Sequence, residues 1–309
     1  VQLLLFAQGR ILQSGGGAAD DYVDCVLKAL SLTPPGGDMG RVAMLNVALS
    51  QAYAWAGLLE QGLAANDGAL LGMASIDKFD REFIDFSIEQ WALGIRVRLL
   101  IRMNRLDDAQ ACLQQMLSAD EMLNDPVIRQ ITHHLHVEFA AITRNATLVQ
   151  EHAAIVVNLA QQYASPYSKV FALWCSGFSE TSAGNLAAAQ RSFSEALEFI
   201  ASTKVAVEFE TEIRASLAEC YYKLGNFDLA LEAVKETIGI SKSRNNRLTE
   251  CRALIVLGGV LSRKTDADSW EKALELFNEA EQLIGLTGAK LYEPALLSER
   301  DRLMKLMEP

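Results

Sequence analysis

Gly225-Asn226-Phe227-Asp228-Leu229-Ala230, followed by Val234, is the stretch on which the fold turns. Gly tolerates the left-handed backbone that stops a helix. Asn or Asp just after it offers an oxygen to the free amides that open the next helix, and the small Ala230 lets the two helices approach closely. Together these features specify a helical hairpin. Outward from it the phrase recurs in Gly184-Asn185-Leu186, with Ala189, Phe193 and Ala196, and in Asn104-Arg105-Leu106-Asp107-Asp108-Ala109, with Leu113 and Met116. Looser copies run from Gly57-Leu58-Leu59 to Gly62 and Ala69, from Asn145-Ala146-Thr147 to Ala154, and from Trp270 to Ala273, Phe277 and Ala280. A first copy stands at Gly15 to Gly17, ahead of Val26 and Ala29.

Successive turns therefore fall near 17, 57, 104, 145, 184, 225 and 266, a period of roughly 40 residues that belongs to helical-hairpin arrays. One hairpin cannot bury its apolar stripe alone, so neighbours must stack and the last needs a cap. The expectation is an all-α, right-handed superhelical solenoid of about seven hairpins. It forms a single repeat domain over residues 1–309, with the amphipathic stretch Ala295 to Met307 as the capping helix. Only Ser14 to Gly17 and Thr33 to Gly37 break the helical pattern, and both are too short to be interdomain linkers. The interval of about 47 residues between the second and third turns, which contains Ala74 to Phe86, reads as longer helices with a short connection. Phe79, Phe83 and Phe86 mark it as packed.

Half of the residues are hydrophobic and only six are Pro, which leaves long stretches free to be helical. A net charge of −11 argues against a nucleic-acid partner, because duplex binding needs a clustered basic face. No apolar run reaches the length of a membrane span, and no charged n-region or cleavage site marks a secretory signal. The chain opens at Val1, which reads as a piece of something longer. Five cysteines (Cys25, Cys112, Cys175, Cys220 and Cys251) stand far apart in apolar helical stretches, a pattern suited to a reducing cytoplasm.

The Gly-Asn-Phe-Asp-Leu-Ala phrase resembles the tetratricopeptide repeat, with a longer period than that family's usual 34 residues or so. Two stretches resemble a narrower group. Trp91-Ala92-Leu93-Gly94-Ile95-Arg96-Val97-Arg98-Leu99-Leu100, running into Asn104 to Ala109, and Gly288-Ala289-Lys290-Leu291-Tyr292-Glu293-Pro294-Ala295-Leu296 are similar to the C-terminal repeats of large bacterial signalling ATPases. In that group a class III nucleotide cyclase or a helix-turn-helix regulator accompanies a P-loop ATPase and a tetratricopeptide region. The resemblance implies a chain that senses or docks while other domains catalyse. No GxxxxGK[ST] loop and no cyclase-type metal carboxylate motif appears, so no catalytic residue is carried over.

Among chemical constellations, His133 and His136 share a helical face, with His134 adjacent and His152 on the next helix. No Cys or carboxylate stands at a spacing that would complete a zinc site, so these histidines read as packing and surface, with no metal or other cofactor expected. Trp174-Cys175-Ser176-Gly177-Phe178-Ser179 falls mid-helix, where no nucleophile elbow forms. The carboxylates of Asp20, Asp21 and Asp24, and of Glu208, Glu210 and Glu212, read as solvated helix faces. The chain is expected to be no enzyme.

What remains is the concave face, to which the first helix of each hairpin turns its side chains. The register assigns Trp55, Trp91, Arg98, Arg102, His136, Phe139, Trp174, Phe178, Glu219, Tyr222, Arg252 and Arg263 to it. Trp, Tyr and Arg dominate binding hot spots, and the guanidiniums are suited to gripping carboxylates bidentately. The expected partner is a protein or peptide segment, or a neighbouring domain of the parent chain. The alternative is a small-molecule sensor, if the superhelix closes round a metabolite.

Overall fold

The computed structural model of the chain describes residues 1–34, 36–123 and 125–308, the side chains of 120–123 excepted. Pro35, within the expected break from Thr33 to Gly37, lies outside the described residues. The described chain is all-α and solenoid-like. In order, its sixteen helices are α1 (Gln2–Ser14), α2 (Ala19–Ser31), α3 (Met39–Ala56), α4 (Leu59–Gly72), α5 (Lys78–Ile84), α6 (Ile88–Arg102), α7 (Leu106–Leu123) and α8 (Pro126–Ile142). There follow α9 (Ala146–Tyr163), α10 (Pro166–Ser182), α11 (Leu186–Thr203), α12 (Glu210–Lys223), α13 (Phe227–Ser243), α14 (Arg247–Leu261), α15 (Ala267–Thr287) and α16 (Glu293–Met307). Short turns join α1 to α2, α3 to α4, α6 to α7, and so on to α14 and α15. These are seven hairpins, and α16 packs on α14 and α15 to cap the last of them.

The turns show why these residues end helices. Gly57, Gly184 and Gly225 take φ of 73°, 80° and 76°, which costs a residue without Cβ little, and Asn104 does the same at 59°. The fourth turn differs in detail from the sequence reading: Arg144, at φ 57°, is the left-handed residue, and Asn145 behind it caps α9 by accepting from the Leu148 amide. Asn185 and Asn226 occupy cap positions but make no side-chain cap bond. Asn185 donates instead to the Glu180 carboxylate at 2.9 Å.

The long interval after the second turn is not filled by longer helices. A 3-10 turn over Met73–Ser75 and the separate helix α5 occupy it. α4 stops where Gly72 meets α3 so closely that a Cβ there would lie 2.8 Å from the Ala43 methyl. Asp77 then caps α5, Asp85 ends it at φ 65°, and Ser87 caps α6. Phe86 is packed edge-on against Trp91 at 5.7 Å, whereas Phe79 and Phe83 are exposed.

One buried apolar cluster runs from Phe6 through the middle hairpins to Ala289. The two ends of the array also meet. The Ala19 amide donates to the Arg244 carbonyl at 2.9 Å, Asn245 Nδ2 to Asp20 Oδ2 at 2.7 Å, and Arg247 Nη1 to the Ala56 carbonyl at 2.7 Å. The first two hairpins thus touch the turn between α13 and α14, so the solenoid closes on itself and its concave face becomes an interior.

Candidate functional site

Two cavities occupy that interior and share Arg102, Glu212 and Leu248 in their walls. The first, of about 230 Å³, lies between α3, α6 and α8, with Trp55, Trp91, Arg98 and Arg102 among its lining residues. The second, of about 380 Å³, is lined by Arg102, Trp174, Phe178, Glu219, Tyr222 and Arg252, together with Tyr292 ahead of the capping helix. Most of the residues that the repeat register turned inward are thereby gathered round one channel.

Three are not. His136 faces α9, its ring stacked on His152 at 4.3 Å, and Phe139 packs with Leu100, Leu113 and Leu135 between neighbouring helices. A small error in register swings a side chain by about 100° per residue round a helix, enough to move either one off the concave face. Arg263 lies outside both linings, where its guanidinium sits 5.5 Å from the Tyr222 ring and donates to that hydroxyl.

At the junction of the cavities the arginines are already engaged by the chain's own carboxylates. Arg98 donates to Glu138 at 3.2 Å and to Glu212 at 2.7 Å; Arg102 donates to Glu138 at 2.8 Å. Burial alone would raise the Glu138 carboxyl, yet the two guanidiniums hold it well below the usual carboxylate range. They are themselves held above the ordinary arginine value because Glu138 and Glu212, with Tyr292 also acting on Arg102, outweigh burial. In the second cavity Arg252 is paired in the same way with Glu219.

Sequence reasoning missed these partners. Glu208, Glu210 and Glu212 are not solvated: Glu212 meets Arg98 and Arg102, Glu210 meets Arg214 and Arg244, and Glu208 accepts from the Tyr167 hydroxyl at 2.7 Å. It also missed Phe209, which lies 5.4 Å from Trp55 and 5.6 Å from Trp174 and so joins the aromatic walls. Phe209 belongs to the 3-10 turn Val207–Phe209 before α12, outside any helical period that would have flagged it.

His134, against the Phe171 and Trp174 rings at 4.6 Å, lines the first cavity with its Nδ1 3.3 Å from Cys175 Sγ. Burial pushes its pKa down to about 3, with Arg98 and Arg102 adding to the fall and Glu138 opposing it, so the ring is neutral. His133 and His152 share a 2.8 Å contact between their Nδ1 atoms and are each pushed down to about 4, chiefly by burial. Each of these two nitrogens already has the other as its partner. Among the described residues, Asp38, Asp77 and Asp80 are the carboxylates close enough together to hold a cation. Asp38 and Asp77 cap α3 and α5, while Asp80 pairs with Arg41. The Cys175 thiol beside His134 is fully buried, and burial, with Glu138 adding to it, pushes its pKa well above the ordinary thiol value.

No protein-family model and no curated protein sequence matches the chain. Solved structures do. A Rap protein complexed with competence and sporulation factor aligns at a TM-score of 0.62 and 14% identity, over 93% of this chain and 79% of that one. A signal transduction ATPase with numerous domains and a tetratricopeptide repeat sensor, from Pyrococcus horikoshii, aligns at 0.55 and 14% identity over 99% of this chain. The chain spans 47% of that protein's length. At such identity the likeness is one of fold, a tetratricopeptide-like helical repeat.

Proposed function

We propose that the chain is a non-catalytic regulatory module that takes a short protein segment into the interior of its closed solenoid. The observation that carries this reading is the closure, which brings Trp55, Trp91, Trp174 and Phe209 round one channel. Aromatic walls interleaved with charged and polar side chains suit recognition of a polypeptide segment. The two structural neighbours support it from outside: one is a complex with competence and sporulation factor, and the other carries a tetratricopeptide repeat sensor. The reading takes residues 1–309 as one repeat domain, supported by the buried cluster from Phe6 to Ala289. It further places the chain in a larger bacterial signalling protein, whose cyclase or transcription-regulator output the bound state would bias.

A cytoplasmic setting fits five free cysteines, and no described helix is long and apolar enough to cross a membrane. A second reading, a small-molecule sensor, is favoured by the small size of the first cavity, about 230 Å³. Leu248 borders both cavities, so Leu248→Trp should fill the junction between them. Tagged chain recovered from its host lysate and weighed by native mass spectrometry should retain a polypeptide of defined mass, absent from the L248W variant. A retained small molecule would select the second reading instead. A partner kept equally well by both forms would mean that binding lies elsewhere.

A further inference from the structure

The first cavity holds a cation that, among the described residues, no carboxylate contacts directly. Arg10, from α1, reaches into this cavity, where its guanidinium carbon lies 5.1 Å from the Trp91 ring centroid, 5.7 Å from Phe86 and 5.8 Å from Phe6. Among the described residues it forms no ion pair and no hydrogen bond, unlike Arg98 and Arg102 in the same wall. Those two arginines are engaged by two carboxylates, Glu138 and Glu212, neither of which pairs with Arg10. Glu208 does not offset it directly. Its carboxyl accepts from the hydroxyl of the cavity-lining Tyr167 and forms no ion pair with Arg10; burial raises its pKa, and Arg10 is among the charges that oppose the rise.

The cavity wall also carries a second polar group without a partner. Gln90 is 4% exposed, lines the same cavity, and leaves its side-chain oxygen without a partner. Buried amides are nearly always hydrogen-bonded, and turning the terminal group by half a revolution would present its NH2 instead. Trp55, Ile95, Leu99 and Leu135 supply apolar wall, interrupted by the polar groups of Gln51, His134 and Tyr167 and by the engaged Arg98, Arg102 and Glu212.

We propose that this cavity binds a carboxylate on an apolar body, the carboxylate pairing with Arg10 and Gln90 and the body lying against Trp55 and Trp91. Aromatic faces hold the guanidinium plane in place, and a fixed planar guanidinium matches the two oxygens of a carboxylate. One guanidinium without an ion-pair partner suits a monoanion better than a phosphate dianion, whose second charge would be desolvated without a counterion. The carboxylate could belong to a peptide C-terminus or to a free organic acid. The inference rests on the interior binding reading above and specifies its chemistry.

Three probes test it through the fluorescence of Trp55 and Trp91, with calorimetry as a second measure: N-acetyl-leucyl-phenylalanine, its C-terminal amide, and 3-phenylpropionate. The acid dipeptide should bind about tenfold or more tighter than the amide. Arg10→Met, which keeps the stacked stem, should abolish that preference, and Arg10→Lys should restore part of it. Thermal unfolding of each variant checks that it folds. Binding of 3-phenylpropionate as tight as that of the dipeptide acid would identify a free acid as the source, and much weaker binding a peptide end. Equal affinities for acid and amide, both lost in L248W, would overturn the carboxylate assignment while leaving interior binding in place. Failure of all three probes to bind at millimolar concentration would also overturn it, and retention of a host partner sensitive to L248W would still uphold the interior reading.

Discussion

Glu138 is 4% exposed and answers two guanidiniums, so its removal would strand charge rather than merely lose a contact. Breaking a buried pair by deleting one partner costs about 3–5 kcal/mol. Glu138→Ala should therefore lower the urea midpoint by that equivalent, and a loss below about 1 kcal/mol, the worth of a surface pair, would show that the junction is wet. The neutral histidines give a second consequence. Free histidine titrates near 6.5, whereas His134 is held to about 3 and His133 and His152 to about 4. Below 6.5 the unfolded chain binds protons that the folded chain refuses, so stability must fall as pH drops from 6.5 towards 4. His134 alone contributes about 3 kcal/mol over that window. A pH series of thermal unfolding should show the decline, and His134→Phe, which keeps a ring against Phe171 and Trp174, should flatten part of it.

Within the hairpins, close approach is set by glycine on one helix and phenylalanine on the next. A Cβ at Gly258 would lie 2.4 Å from Phe277, and one at Gly177 only 2.2 Å from Phe193. Both rings are buried and cannot swing away freely. Gly258→Ala should thus destabilise by about 1–3 kcal/mol through overpacking, despite the better helix propensity of Ala. Denaturant titration showing equal or greater stability would mean that α14 and α15 can separate without penalty. This scale is also where the sequence was most readable. Gly225 and Ala230 act on neighbours within one turn, so their meaning is local. Glu212 was misread because Arg98, its partner, stands 114 positions away. The pairing exists only once α6 and α12 face each other across the interior. Arg10 escaped notice for the same reason, since its aromatic neighbours Phe86 and Trp91 belong to later helices.

Across the whole molecule the decisive contact is the latch between Arg247 and the Ala56 carbonyl, with Asp20 and Asn245 beside it. A hydrogen bond from a charged donor contributes about 1.5–3 kcal/mol. Arg247→Ala should speed amide hydrogen exchange at the end of α3 and the start of α14 while leaving α8 to α11 protected. Uniform acceleration along the chain would show that the latch supports global stability instead of closure. The variant should also weaken interior binding, because an opened solenoid no longer surrounds its ligand.

The latch has a kinetic corollary. Nearly every packing partner in such an array is close along the chain, which favours rapid assembly from local nuclei. The bond from Asn245 to Asp20 spans 225 positions and can form only after the intervening hairpins are in place. Ring closure should then come late in folding. On a ribosome the N-terminal hairpins would wait, with their Asp20 edge bare, until α13 and α14 emerge. The same edge, vacant in a partly made chain, would accept the α13–α14 turn of another copy, so exchange of terminal hairpins between molecules is the characteristic misassembly that this architecture invites.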